Sequence, residues 1–205
     1  MQSSPGNVAT VLTAKGERTK ARILDATAEL VVAKGVTNTC LDDVLAATGT
    51  SKSQLFHYFP DGKDELLATV EAREAERILD DQRPAIDHLD SWEGWESWAD
   101  QLKVMYRSKL LGCPVAALSG RSGKDPDAAA PARDLYTTWL AALTAGITAM
   151  QERGLLDPDA DPEHLAMATL ATVQGGAGMM QTSGSVVPLD VAVDAAIGYL
   201  RTFAT

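Results

Sequence analysis

Apolar side chains recur at three- and four-residue intervals along most of this 205-residue chain, the spacing that lines one face of an α-helix. From residue 16 to 34, Ile23, Thr27, Leu30 and Val31 fall on one side, and Gly35 stops the helix because it tolerates a left-handed backbone. A short helix follows over about 41–47 and buries Leu41, Val44 and Leu45. Thr39 or Cys40 sits where its cap is wanted, and Asp42 and Asp43 place negative charge in its first turn. Gly49 then lets the backbone reverse without a side-chain clash. Ser51, with Gln54 three residues on, has the form of a capping box, so a second short helix starts there. Small Ala46 and Ala47 are expected where the two short helices approach. Leu55 and Phe59 point to a core, leaving Lys52, Ser53, Gln54, His57 and Tyr58 outside.

Beyond Lys63 the helical period continues. Residues 64–81 carry Leu66, Leu67, Val70 and Ile78 until Pro84 interrupts them. Residues 91–110 carry Trp92, Trp95, Trp98, Leu102, Met105 and Tyr106. A break at Gly112-Cys113-Pro114 leads to a short helix through Leu118 and a polar loop over 119–126. Residues 128–153 bear Leu135, Trp139, Leu143, Ile147 and Met150, and two further helices span about 162–181 and 189–202. No segment alternates convincingly as a strand, so the expected class is all-α. The three amino-terminal helices form a helix-turn-helix pattern of the kind that enters DNA. The expected organisation is a DNA-binding domain over 1–63 and a larger helical ligand-binding and dimerisation domain over 64–205.

Charge at first argues against a nucleic-acid partner, because the whole chain carries a formal −10. The charge is polarised, however. Residues 1–63 hold seven Lys/Arg (15, 18, 20, 22, 34, 52, 63) and six Asp/Glu, a net +1, and the remainder carries −11. The near-neutral end can face phosphate while the acidic body faces away. Lys52 and the hydroxyls of Ser51, Ser53 and Tyr58 suit phosphate contacts, with Thr39 ahead of them. Gln54 has two readings: a bidentate contact to adenine, or closure of its own helix cap. His57 is either a DNA contact or a solvated surface group.

Other chemistries find little support. Cys40 and Cys113 lie far apart and His57, His88 and His164 are scattered, so no zinc-ligand spacing exists and no metal or cofactor is expected. Neither a phosphate-binding glycine loop nor a nucleophile elbow is present, which argues against an enzyme. An enzyme built on Cys113 would lack an identifiable base. No apolar run reaches membrane-spanning length, and the expected location is cytoplasmic.

The segment TKARILDATAELVVAKGVTNTCLDDVLAATGTSKSQLFHYFPDGKDELL, about a quarter of the chain, resembles the amino-terminal domain of the tetracycline-repressor (TetR) family. The resemblance rests on Gly35, Asp43-Val44, Gly49-Thr50-Ser51-Lys52, Leu55-Phe56-His57-Tyr58-Phe59 and Lys63. It implies a homodimeric repressor on a pseudo-palindromic operator, released by a small-molecule inducer. It also implies that Lys63, opening the fourth helix, touches phosphate, although Asp61-Gly62 spaces it differently from the commonest form. The family usually has a phosphate-touching tyrosine at the position of Phe56; phenylalanine lacks the hydroxyl, which leaves His57 or Tyr58 for that role. The last two helices are implied to pair with their copies in a four-helix dimer interface.

The large side chains of the second domain sit among many alanines and glycines, a composition that tends to leave a cavity. Trp92, Trp95, Met105, Tyr106, Trp139 and Met167 are expected to line it, with Gln174 as its polar group. Gly175, Gly176 and Gly178, each costing roughly 1 kcal/mol inside a helix, point to a close helix contact or to a pocket mouth. LLGCPVAALSG and TVQGGAGMM resemble a subgroup of TetR regulators that respond to drugs or electrophiles. Pro114 at a first helical position puts Cys113 at the cap, where the helix dipole lowers a thiol pKa. Cys113 is therefore a thiol sensor of oxidants or electrophiles, or a small buried residue. Cys40 is expected to pack beside the DNA-binding helix.

Overall fold

The computed structural model describes residues 13–108, 115, 118 and 130–205. The described chain is helical, with α1 Ala14–Lys34, α2 Leu41–Thr48, α3 Lys52–Tyr58, α4 Lys63–Asp80, a 3-10 turn Ala85–His88, α5 Trp92–Ser108, α6 Ala130–Glu152, α7 Pro162–Ser183 and α8 Val187–Arg201. The all-α expectation holds: the extended pairing among the described residues is an isolated bridge between Leu156 and Ala204. The break at Gly112-Cys113-Pro114 and the 119–126 loop lie outside the described residues.

Two apolar cores organise the chain. In the head, Ile23, Leu24 and Val31 of α1 meet Val44 of α2, Leu55 of α3, Phe59, and Leu66, Leu67 and Val70 of α4. In the body, Ala75 and Ile78 of α4 join Trp95, Trp98 and Leu102 of α5, Trp139 and Leu143 of α6, Val173 and Ala177 of α7, and Leu189 and Val193 of α8. The first half of α4 thus belongs to one core and its second half to the other. Leu118 is buried in the head core, while Val115, three residues earlier, is buried in the body core.

Close approaches explain several small residues. A Cβ on Gly176 would stand 2.3 Å from the Ala192 Cβ and 2.9 Å from the Pro188 carbonyl oxygen, so α7 and α8 touch at a residue that must be glycine. Gly175 and Gly178 have nothing within 4 Å of an added Cβ and are exposed. The glycine cluster therefore divides between an internal contact and an open face. Ala46 and Ala47 are both exposed, and Val44, Thr48 and Leu55 fill the head interior instead. Leu189, Val193 and Leu200, the repeating apolar face of the last helix, are spent inside their own subunit.

Gly94 offers a direct check on this packing, because an added Cβ would lie 1.8 Å from the backbone oxygen of His88. Gly94→Ala is expected to cost about 1–3 kcal/mol by overpacking, seen as a lower urea midpoint by circular dichroism. An unchanged midpoint would contradict the α5 placement.

Candidate nucleic-acid interface and body cavity

The turn between α2 and α3 is built from local chemistry. Gly49 ends α2 in a left-handed conformation (φ 64°, ψ 18°), which costs a side-chain-bearing residue roughly 1–2 kcal/mol. Ser51 accepts from the Gln54 backbone N–H at 3.2 Å, and Gln54 returns its Oε1 to the Ser51 N–H at 3.3 Å. This reciprocal box satisfies two helix-end donors. At α2 the Cys40 N–H and thiol both donate to Asp43 Oδ2 at 3.2 Å. The Lys34 ammonium, 2.8 Å from Asp43, together with the Cys40 thiol and backbone N–H, holds the Asp43 carboxyl down to about 2. Cys40 is exposed and caps α2 rather than packing beside α3.

These caps aim α3 outward. Ser51, Lys52, Ser53, Gln54, Phe56 and His57 are all exposed while Leu55 and Phe59 anchor the helix in the head core. Among the described residues, Lys15, Arg18, Arg22 and Lys52 are exposed cations without an ion pair. Gln54 closes its cap through Oε1, and its amide nitrogen remains directed elsewhere. Tyr58 is half-buried against the head core, with its ring edge-on to His57 at 5.2 Å. Lys63 donates its ammonium to the Val36 carbonyl at 3.2 Å. That contact follows from Gly62, whose positive φ of 76° re-aims the chain before α4. Thr39 is placed differently from expectation. It is buried, and its hydroxyl donates to the Gly35 carbonyl at 2.9 Å, so the side chain closes the α1–α2 loop instead of facing outward.

The body holds a half-open cavity of about 250 Å³ lined by Ile78, Tyr106, Leu135, Tyr136, Trp139 and Gln174 among others. Three expected residues, Tyr106, Trp139 and Gln174, meet there, and the Gln174 amide donates to the Tyr106 hydroxyl at 3.1 Å. Four do not line it. Trp95 is fully buried edge-on to Trp98, with ring centroids 5.6 Å apart. Trp92 lies under the Arg201 guanidinium, 4.7 Å from its centroid. Met105 packs in the body core. Met167 is 53% exposed on the outer side of α7. Cys113 lies outside the described residues. Leu135, Tyr136 and Gln181 were missed, although Tyr136 is one turn before Trp139 and Gln181 two turns after Gln174. Extending those two helical rows would have found them.

Comparison with known proteins agrees with this geometry. The profile described as "Bacterial regulatory proteins, tetR family" matches residues 23–70, and "Tetracyclin repressor-like, C-terminal domain" matches residues 92–196. An HTH-type transcriptional regulator of Lactococcus lactis is 30% identical over 166 residues, covering 77% of this chain and 80% of the relative. One from Mycobacterium tuberculosis is 26% identical over 184 residues, covering 83% and 88%. A TetR transcriptional regulator from Chloroflexus aurantiacus superposes with a TM-score of 0.82 at 21% identity, covering 94% of this chain and 98% of that one. A head presenting a capped recognition helix, on a helical body, defines a DNA-binding transcriptional regulator. The chain belongs to the TetR family. Members of this family are non-enzymatic, and they bind DNA operators, typically as dimers. No helix among the described residues is long and apolar enough to cross a membrane.

Two outcomes test the head. Lys34→Ala is expected to return Asp43 toward the ordinary carboxylate range, followed by NMR titration of the carboxyl. Because the folded-state pKa is depressed, this tie acts above the unfolded pKa and is lost as pH falls toward about 2. An unmoved Asp43 titration would contradict the pairing. Lys52→Ala is expected to weaken DNA binding evenly across sequences and to lower the salt slope by about 1, measured by fluorescence anisotropy over a salt series.

Proposed function

We propose that this regulator is a homodimeric repressor that grips a pseudo-palindromic operator with its two α3 helices and releases it when a small apolar or aromatic molecule fills the body cavity. The observation that carries the reading is the division of α4 between the two cores. Ile78 lines the cavity, and Leu66, Leu67 and Val70 on the same helix share the head core with Leu55, the anchor of α3. A molecule that fits the cavity better when α4 is displaced lowers operator affinity by its differential affinity for the two positions. Contact by Lys52, Ser53, Gln54, His57, Tyr58 and Lys63 with double-stranded DNA belongs to this proposal, as does a cytoplasmic location beside that DNA. The head spans 1–63 and the body 64–205 in this reading, with the first half of α4 packed into the head core.

The outer faces of α7 and α8 support the dimer. Ala171, Gly175, Gly178 and Met179 on α7 run beside Val187, Val191, Ala195 and Tyr199 on α8, and all are exposed. A contiguous apolar strip of this kind marks an interaction surface, and its glycines allow the helices of a second copy to come close. Thiol sensing through Cys113 rests on the sequence resemblance alone, since that residue lies outside the described ones.

Val191, 62% exposed in the single subunit, sits within this strip. Val191→Glu is expected to convert a dimer to a monomer in analytical ultracentrifugation and to abolish tight operator binding, while helicity is retained. A monomeric wild type would contradict the proposal. So would absence of a salt-sensitive shift with DNA taken from immediately upstream of the protein's own coding region.

A further inference from the structure

We infer that the cavity selects an uncharged, flat molecule of one or two fused rings that carries a hydrogen-bonding oxygen, and that it discriminates against lipophilic cations of the same size. The inference rests on the proposed role of the cavity and deepens it by naming the ligand's chemistry.

Size gives the first limit. An apolar cavity of about 150 Å³ holds benzene, so about 250 Å³ suits a bicyclic frame. Shape comes from three aromatic rings, Tyr106, Tyr136 and Trp139, which favour a planar guest through stacked or edge-on contact. Polarity comes from two amides on one face of α7. Gln174 donates its Nε2 to the Tyr106 hydroxyl at 3.1 Å, which fixes the amide's orientation and directs its Oε1 away from that bond. Gln181, two turns on, is half-buried and has no hydrogen-bond partner among the described residues. An apolar guest would cover these amides and leave them unsatisfied, whereas a guest bearing a hydroxyl or carbonyl bonds to them.

Charge gives the last limit. None of the described lining residues is acidic or basic. A cation entering this space loses hydration without meeting a carboxylate among the described lining residues, and attraction to aromatic faces is the smaller of the two effects.

The test uses three probes of nearly one size, 2-naphthol, naphthalene and N-methylquinolinium, with calorimetry on the full chain and operator release followed separately by anisotropy. The wild type is expected to bind 2-naphthol at least tenfold tighter than naphthalene, and N-methylquinolinium at least tenfold weaker than 2-naphthol. Gln174→Leu is expected to erase the advantage of naphthol over naphthalene, and Gln174→Glu to raise affinity for the cation at least tenfold. Equal binding of the cation by the wild type, an undiminished naphthol preference in Gln174→Leu, or failure of all three probes to bind would overturn the inference. Binding of 2-naphthol with the expected selectivity but without operator release would uphold the ligand class and sink the inducer reading instead.

Discussion

Everything in this protein turns on one helix being buried twice. Val70 and Ile78 are only eight positions apart on α4, yet Val70 is sealed in the head core and Ile78 borders the body cavity. Between them Arg73 donates to the Asp25 carboxylate at 2.6 Å and to the Ala21 carbonyl at 3.2 Å, tying α4 sideways to α1. Arg77 reaches the same carboxylate at 3.2 Å. These ion pairs are partly exposed, so their net contribution to stability is small. Their effect is geometric, fixing α4 against α1 at two successive turns. A close-packed interior does not deform smoothly, so in the proposed mechanism a shift of Ile78 would be passed to the head rather than absorbed. Val115 at the cavity wall and Leu118 in the head core are a further pair, three positions apart, divided between body and head.

The head was legible because its form is set locally. A left-handed residue at Gly49, a Ser51–Gln54 cap and a stop at Gly35 are each decided within a few residues, so spacing alone places the turn and aims α3. Thr39 shows where that logic ends. A threonine ahead of a helix looks available, but the chain doubles back so that its hydroxyl finds the Gly35 carbonyl. Ala46 and Ala47 show the same limit, since smallness allows close approach without requiring it.

The cavity was legible only in part, because it is a gap between elements distant in sequence. Trp92 and Trp95 are expected at a binding wall, yet successive turns of α5 send its three tryptophans to different tasks. Trp98 donates its indole N–H to Gln82 at 2.9 Å, Trp95 fills the core beside it, and Trp92 stacks under Arg201. Of α5 only Tyr106 reaches the wall, which is completed by Ile78 of α4 and by α6 and α7. On those last two helices Trp139 and Gln174 are legible without their neighbours one or two turns away. Glycine composition was similarly ambiguous. Gly176 is demanded by contact with Ala192, whereas Gly175 lies on an open face and Gly178 borders the body cavity.

The central claim is that filling the body moves the heads through α4. Pulsed dipolar spectroscopy on protein carrying one spin label at position 53 of each subunit tests it directly. The account predicts one narrow separation near a single DNA turn, roughly 34–36 Å, in the operator complex, and a displaced distribution once a cavity ligand has freed the DNA. Identical distributions in the two states, or no measurable coupling between labels, would contradict it.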